Sequence, residues 1–518
     1  MWFDTWPFLV IWAAGWLLSL AFSKQANAWH WHTARWTSRL ALLFALGHAV
    51  VAVSQWWLGK AATVDWLGTI VTLLVGLLGW VVIKFAEHYL AGEPRQPRFV
   101  KATLFTLAAV ALMVVSDSLL LMLVGWSLTS VGLHSLLLYY PERRAAQIVA
   151  HKKFIASRFA DVLLVTALAL VFIELGSFSM SDLNALLDTR VGKPATLDLA
   201  VVLIAVAAVV KTAQLPIHGW LIQVMEAPTP VSALLHAGVI NLSGLVLLRL
   251  ADALSFNFVA QAILVIVGSL TAALAAMVML TRISIKVRLA WSTCAQMGFM
   301  LMEIGLGLYE LALLHLVAHS LYKAHAFLSS GEAVLQARLH SFARANYEAG
   351  ALWVYLASPL VSAAVVVGSL WGWQQLLPEF EVTAAVLVIL TIGFAPLYWP
   401  STKDKFGHWL RGAVRSIVLT QLYFLWHLAF AQVMPPQTTT SWFLLGWVTV
   451  VFIGLYITQL VVQRYPHGAP SRRLFPWAYN GFYLDERFTR FTFKVWPLQF
   501  KQPADLDDGE TLATETMK

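Results

Sequence analysis

Apolar windows recur along almost the whole chain, separated by short polar connections. A helix needs roughly 20 apolar residues to cross a bilayer core. On that measure the pattern predicts about fifteen spans, near residues 3–23, 38–58, 66–88, 100–115, 117–140, 155–174, 199–222, 229–251, 257–280, 287–307, 309–334, 352–374, 382–400, 412–433 and 442–463. The expected fold is therefore all-α, a polytopic transmembrane bundle of about 14–15 helices with at least one of them broken. The first window, Trp2 to Phe22, lacks a basic leading region and reads as a span rather than a cleavable signal. No short-period repeat is visible.

Past residue 464 the pattern changes. The stretch "RRLFPWAYNGFYLDERFTRFTFKVWP" mixes aromatic and charged residues, as an amphipathic segment on a membrane surface does, and equally as a protein-docking surface does. Phe482, Tyr483, Asp485, Arg487 and Phe488 are its candidate contact residues. From Gln502 the tail is polar and is expected to be disordered. Three units follow: a bundle over 1–463, a cytoplasmic amphipathic segment over 464–500 and a tail over 501–518.

The connections alternate in charge. One set carries Lys24, Arg35 and Arg39; Arg95, Arg98 and Lys101; Arg143, Arg144, Lys152 and Lys153. It continues with Arg282, Lys286 and Arg288; Arg338 and Arg344; Lys403, Lys405 and Arg411; and the C-terminal segment. The other set, such as 116–118, 377–381 and 434–441, is almost free of Lys and Arg, and in its longest member (175–198) Arg190 and Lys193 are offset by Asp182, Asp188 and Asp198. By the positive-inside rule the N-terminus faces out and the C-terminus faces the cytoplasm, in a bacterial inner membrane. The net charge of +8 is then mostly topology. Lipid headgroups are its default partner and nucleic acid is not one. Of the 518 residues 59% are hydrophobic and 12% charged, too few charges to cover a soluble protein of this size. A single cysteine, Cys294, excludes a disulfide framework and a cysteine metal site.

Ionisable groups within spans are costly and mark ion pathways more often than packing. Lys211 follows an uncharged run from Leu199 to Val210, and Pro216 comes shortly after it. Proline deprives the carbonyl near Thr212 of its helical partner, and the freed polar groups call for water or side chains. A lysine snorkelling to one interface is the plainer alternative. His315, His319 and Lys323 follow at i, i+4 and i+8 and share one helical face. Imidazoles one turn apart suit a proton wire. A metal pair is the weaker reading, since no further carboxylate lies on that face. In "MEAPTPVSALLHAGVINLSG" a rigid Pro-Thr-Pro connection opens a span that carries His236, Asn241 and Ser243. His48, His134 and His427 read as packing or interfacial, and Glu303 as ambiguous near a helix end.

The segment "KTAQLPIHGWLIQVMEAPTPVSALLHAG" closely resembles the signature of the antiporter-like subunits of respiratory complex I and of multisubunit cation/proton antiporters. "SDSLLLMLVGWSLTS", "KKFIASRFADVLLV", "WSTCAQMGFM" and "HLVAHSLYKAHAFLSSG" extend the resemblance over roughly residues 66–350. The resemblance implies proton conduction through a hydrated row of charged groups. Here that row would be Lys211, His236, His315, His319 and Lys323, with Arg158 and Asp161 beside its mouth. The pattern departs from the family where Ser127 stands in place of a glutamate that pairs with the lysine. Asp161, Asp117 or Glu226 could take its role, or Lys211 could sit neutral. Ser284 replaces an acidic residue, no lysine matches the later broken helix, and the long lateral helix is absent after residue 463.

The reduced chain with its "NGFYLDERFTRFT" tail is most similar to the membrane subunit of bacterial inorganic-carbon accumulation complexes. That resemblance implies a large cytoplasmic partner like a zinc β-carbonic anhydrase, with CO2 hydrated to bicarbonate on the partner. This chain would then hold no cofactor and no metal, and would perform no covalent chemistry. Two other functions stay open: a subunit of complex I or of a multisubunit antiporter, and a membrane anchor that no longer conducts.

Overall fold

The structure, a computed structural model, describes residues 5–21, 27–59, 64–189, 194–332, 352–399, 405–430 and 441–497. Arg190, Lys193, Arg338, Arg344, Lys403, most of the 434–441 connection and the tail from 498 lie outside the described residues. The described residues are mostly helical and form no strand; one isolated bridge joins Ser118 and Ser179.

Fifteen α-helices precede residue 330. They are α1 (Trp6–Ala21), α2 (Asn27–Trp57), α3 (Trp66–Tyr89), α4 (Gln96–Val115), α5 (Leu119–Leu137), α6 (Arg144–Leu175), α7 (Met180–Thr189) and α8 (Ala195–Lys211). Next come α9 (Gly219–Ile222), α10 (Thr229–Ala237), α11 (Leu242–Arg249), α12 (Ala251–Ser255), α13 (Phe258–Thr281), α14 (Ile285–Gly305) and α15 (Tyr309–Leu328). The remainder is α16 (Leu352–Leu376), α17 (Ala384–Phe394), α18 (Lys405–Phe430), α19 (Trp442–Arg464), α20 (Ala469–Tyr479) and α21 (Leu484–Val495). Among the described residues ten helical segments are long and apolar enough to cross a membrane.

Several predicted spans differ in kind. The window 199–222 is not one helix, because α8 stops at Lys211 and 212–218 is irregular. The window 229–251 divides at Gly238, with a 3-10 turn over Val239–Asn241 between α10 and α11. The window 155–174 is only the outer part of α6, which begins at Arg144. Its first turns were read as a charged connection, yet Lys152 and Lys153 are buried there.

One large apolar core joins α1 through α15, and a second lies among α13–α19. Helices α13 and α14 touch backbone to backbone. A Cβ at Gly298 would fall 2.6 Å from the Gly268 carbonyl and 2.8 Å from the Ala272 amide, and a Cβ at Gly268 would fall 2.5 Å from the Gly298 carbonyl. Small residues permit such approach where no water drives helices together. At the end of the bundle carrying Asp65 and Val114, Arg249 from α11 pairs with Asp65 at 2.7 Å and donates to the Val114 carbonyl at 3.0 Å. This joins α11 to the start of α3 and the end of α4.

The segment after α19 folds back on the bundle. Helix α20 packs on α13, and α21 packs on α6 and α9. Trp496 stacks on His151 with ring centroids 4.0 Å apart and an 8° interplanar angle.

Gly298→Ala forces two backbones apart, and overpacking of this kind costs about 1–3 kcal/mol. The detergent-solubilised protein should melt at a lower temperature in a thermal scan. Gly446→Ala, with nothing within 4 Å of its added methyl, should melt like the parent.

Candidate ion-conduction site

Lys211 is the last residue of α8, and its neighbours explain why the helix ends there. Pro216 has no N–H, and its ring crowds the carbonyl four residues back. That carbonyl, on Thr212, instead accepts a hydrogen bond from Gln214 Nε2 at 3.2 Å. Ala213 adopts a left-handed φ of 55°, which turns the chain out of helical register. The Leu215 amide donates to Thr271 Oγ1 at 3.2 Å, and Cys294 Sγ donates to the Ala213 carbonyl at 3.4 Å. Side chains from α13 and α14 thus supply the partners that a broken helix needs at membrane depth.

The lysine points back at α6. Its Nζ lies 2.8 Å from Asp161 Oδ1, while Arg158 Nη2 lies 2.7 Å from Asp161 Oδ2. Ser127 Oγ donates to Asp161 Oδ1 at 2.9 Å, and the ammonium sits 4.7 Å from the Trp126 ring centroid. Of Asp161, Asp117 and Glu226, the carboxylate that lies against Lys211 is that of Asp161. Ser127 thus hydrogen-bonds the same carboxylate oxygen that Lys211 faces. Glu226 is not in this group: its half-exposed carboxylate lies 3.9 Å from Arg143 at the rim. Asp117 lies between α4 and α5, where burial raises its carboxyl above the usual range. Its charged neighbours there are Arg249 and Asp65 rather than Lys211.

Lys153 lies on the same side of α6. Buried, it donates to the Ser130 carbonyl at 2.7 Å. A small cavity of ≈ 20 Å³ between it and Lys211 is lined by Ser130, Ser157, Trp220 and Val239. That is room for about one water molecule. The cavity reaches the second break, where Asn241 Nδ2 donates to the freed Ala237 carbonyl at 3.1 Å and to Ser320 Oγ at 2.7 Å.

Beyond the break lies the histidine row. His236 is fully buried and stacked on Phe327 at 4.4 Å. Among the described residues neither of its ring nitrogens has a hydrogen-bond partner, nor has either of those of His319. Lys323, also fully buried, donates to the Leu289 carbonyl at 2.9 Å and to Ser292 Oγ. The rings of His315 and His319 are 6.0 Å apart. His315, His319 and Lys323 line a crevice of ≈ 910 Å³ together with Arg288, Ser292 and Gln296. The shared face predicted from their spacing is present.

Sequence reasoning undervalued the next groups. Glu303 is buried and pairs with His315, Nδ1 to Oε2, at 2.9 Å. Glu310 pairs with His427 at 2.5 Å, and the other nitrogen of His427 lies 3.0 Å from the Glu381 carbonyl. Tyr423 lies within electrostatic reach of both glutamates. Paired acid and imidazole therefore continue the row from α15 to α18. A lone histidine or glutamate in an apolar window carries no spacing signal, so only the contact between distant helices reveals these pairs.

The candidate contact residues of the tail divide. Tyr483 and Arg487 are exposed, Phe482 and Phe488 pack against the main core, and Asp485 pairs with Lys152 at 2.7 Å.

Residues 116–376 match the family described as NADH:quinone oxidoreductase/Mrp antiporter, TM. The chain is 38% identical to the probable inorganic carbon transporter subunit DabB of Hydrogenovibrio crunogenus, over 92% of both chains. It is 30% identical to NADH-quinone oxidoreductase subunit L of Escherichia coli, covering 84% of this chain and 78% of that one. Among solved structures, a chain of the Mrp complex from Dietzia sp. DQ12-45-1b superposes with a TM-score of 0.63 at 21% identity, over 94% of this chain and 59% of that one. A chain of the archaeal membrane-bound sulfane sulfur reductase gives 0.58 at 14% identity, over 94% of this chain and 99% of its own length. The fold is that of these membrane subunits, and the chain is a multi-pass membrane protein that belongs to the NADH:quinone oxidoreductase/Mrp antiporter family.

Proposed function

We propose that the chain conducts protons along the row from Lys211 to His427, and that this flux drives inorganic-carbon accumulation by a cytoplasmic partner. The observation that carries the reading is the Lys211–Asp161–Arg158 arrangement. A buried ion pair broken on one side costs about 3–5 kcal/mol, so an unused lysine at this depth would be a liability. Here one carboxylate is shared by two cations. When Asp161 turns towards Arg158, Lys211 loses its counter-ion and gives up its proton; when it turns back, the lysine recharges. The neighbouring cavity and the unpartnered histidines offer the released proton a route through water.

The partner is an expectation from relatives that bear the name inorganic carbon transporter subunit. It would be a large soluble zinc protein like a β-carbonic anhydrase, docked at the cytoplasmic face, with hydration of CO2 to bicarbonate carried out there. The exposed residues Tyr483 and Arg487 are its proposed contacts. The orientation this requires, N-terminus out and C-terminus in, follows from the charge asymmetry of the connections.

Two outcomes check the reading. Lys211→Ala should abolish growth in air of a carbonic-anhydrase-deficient host that carries the chain and its partner, while the chain still reaches the membrane and the partner still co-purifies. Growth equal to the parent would remove Lys211 from the mechanism. In proteoliposomes of the same complex, Asp161→Asn should be about as damaging as Lys211→Ala. Ser127→Ala removes one hydrogen bond to a charged group, worth about 1.5–3 kcal/mol, so its flux should fall no more than about a hundredfold. A Ser127→Ala loss as large as that of Asp161→Asn would contradict the assignment of Asp161 as counter-ion.

A further inference from the structure

A second charged cluster lies outside the path just described. Lys152 adjoins Lys153 in α6, but successive helical side chains leave on different faces. Its ammonium is completely buried, donates to Gln223 Oε1 at 3.2 Å and lies 2.7 Å from Asp485 Oδ2. That carboxylate comes from the first turn of α21, far along the chain. Thr489, one turn on, donates to the same oxygen at 3.2 Å.

Asp485 is pressed into the broken region itself. A Cβ at position 219 would fall 1.7 Å from its Oδ1 and 2.2 Å from its Oδ2, so only glycine admits the carboxylate. Oδ1 is buried with no hydrogen-bond partner among the described residues. Beside Gly219 stands His218, buried and packed on Trp291 with ring centroids 4.9 Å apart. Among the described residues its Nδ1 makes no hydrogen bond of normal geometry, and the ring lies within reach of the Pro216 backbone and of the charges of Asp485, Lys152 and Arg282. The groups facing this carboxylate are thus Lys152, His218, Gln223 and Thr489, with Arg282 beyond Trp291.

A surface helix that served only for docking would keep its acids in water. This one inserts a single carboxylate beside a break in a membrane helix, with one oxygen held by a lysine and the other left open near an open imidazole nitrogen. We propose that Asp485 is a further proton-carrying group, which links the surface to His218 and the broken segment, with Lys152 as the residue that positions it. The inference rests on the conduction reading above. A proton from the surface binds the carboxylate, leaves it for His218 Nδ1 and restores the anion; no other bond changes. The opposite face of α21, with Glu486, Arg487, Arg490 and Phe491, is exposed. A partner bound there would hold the helix that carries the path's first acid.

The test is proton uptake by proteoliposomes of the full complex under an imposed membrane potential, followed with an internal pH dye. Asp485→Asn should lower uptake at least tenfold, and Asp485→Glu should retain part of it. The double variant Lys152→Gln/Asp485→Asn should stay low, because removing the buried charge does not replace the carrier. Recovery of the double variant to parental flux would reduce Asp485 to a structural counter-ion and overturn the proposal, as would full flux in Asp485→Asn. His218→Gln leaves the Lys152 pair intact and should also lose at least tenfold, so the proposal stays decidable if the Asp485 variants do not assemble. Flux in the parent with parental flux in His218→Gln contradicts this inference alone. No flux in the parent contradicts the conduction reading, and this inference with it.

Discussion

An ammonium group held at membrane depth must keep a counter-ion, and much of this structure follows from how that requirement is met. Lys211 lies at the end of a helix, under an indole ring, against a carboxylate that it shares with Arg158. Water cannot screen this pair as it would at a surface. The position of the single carboxylate therefore decides which of the two cations is stabilised. The Ser127 hydroxyl holds that carboxylate on the lysine's side.

The same constraint shapes the backbone. A break in a membrane helix frees carbonyls and amides that lipid cannot satisfy. Both breaks here are closed by side chains. Gln214 and Thr271 serve the first, and Asn241, tied to Ser320 on the histidine-bearing helix, serves the second. The polar groups that make the breaks tolerable also make them wettable. The small cavity between Lys153 and Lys211 abuts the second break.

Much of this was legible in the sequence. An uncharged run ending in lysine, a proline soon after it and an i, i+4, i+8 series of His, His and Lys are local patterns, and each appears as expected. The pairing of Lys211 was left open, because the acid that satisfies it lies on another helix and no local rule joins Asp161 to a lysine 50 residues on. The break at Gly238 was missed because "LLHAGVINLSG" is apolar enough to pass as one span, and a lone glycine is a weak stop signal. Lys152 and Lys153 were read as part of a connection. Burial of a charged pair at the base of a helix depends on what packs over it, and for Lys152 that is a carboxylate from the far end of the chain.

The central claim is that Lys211 functions through one carboxylate within reach, whichever helix supplies it. The most direct measurement is proton flux in the double variant Ser127→Glu/Asp161→Asn, which moves the acid from α6 to the facing position on α5. The account predicts that this relocation restores a substantial part of the flux that Asp161→Asn removes. Flux that stays as low as in Asp161→Asn alone, in a complex that assembles normally, would contradict it.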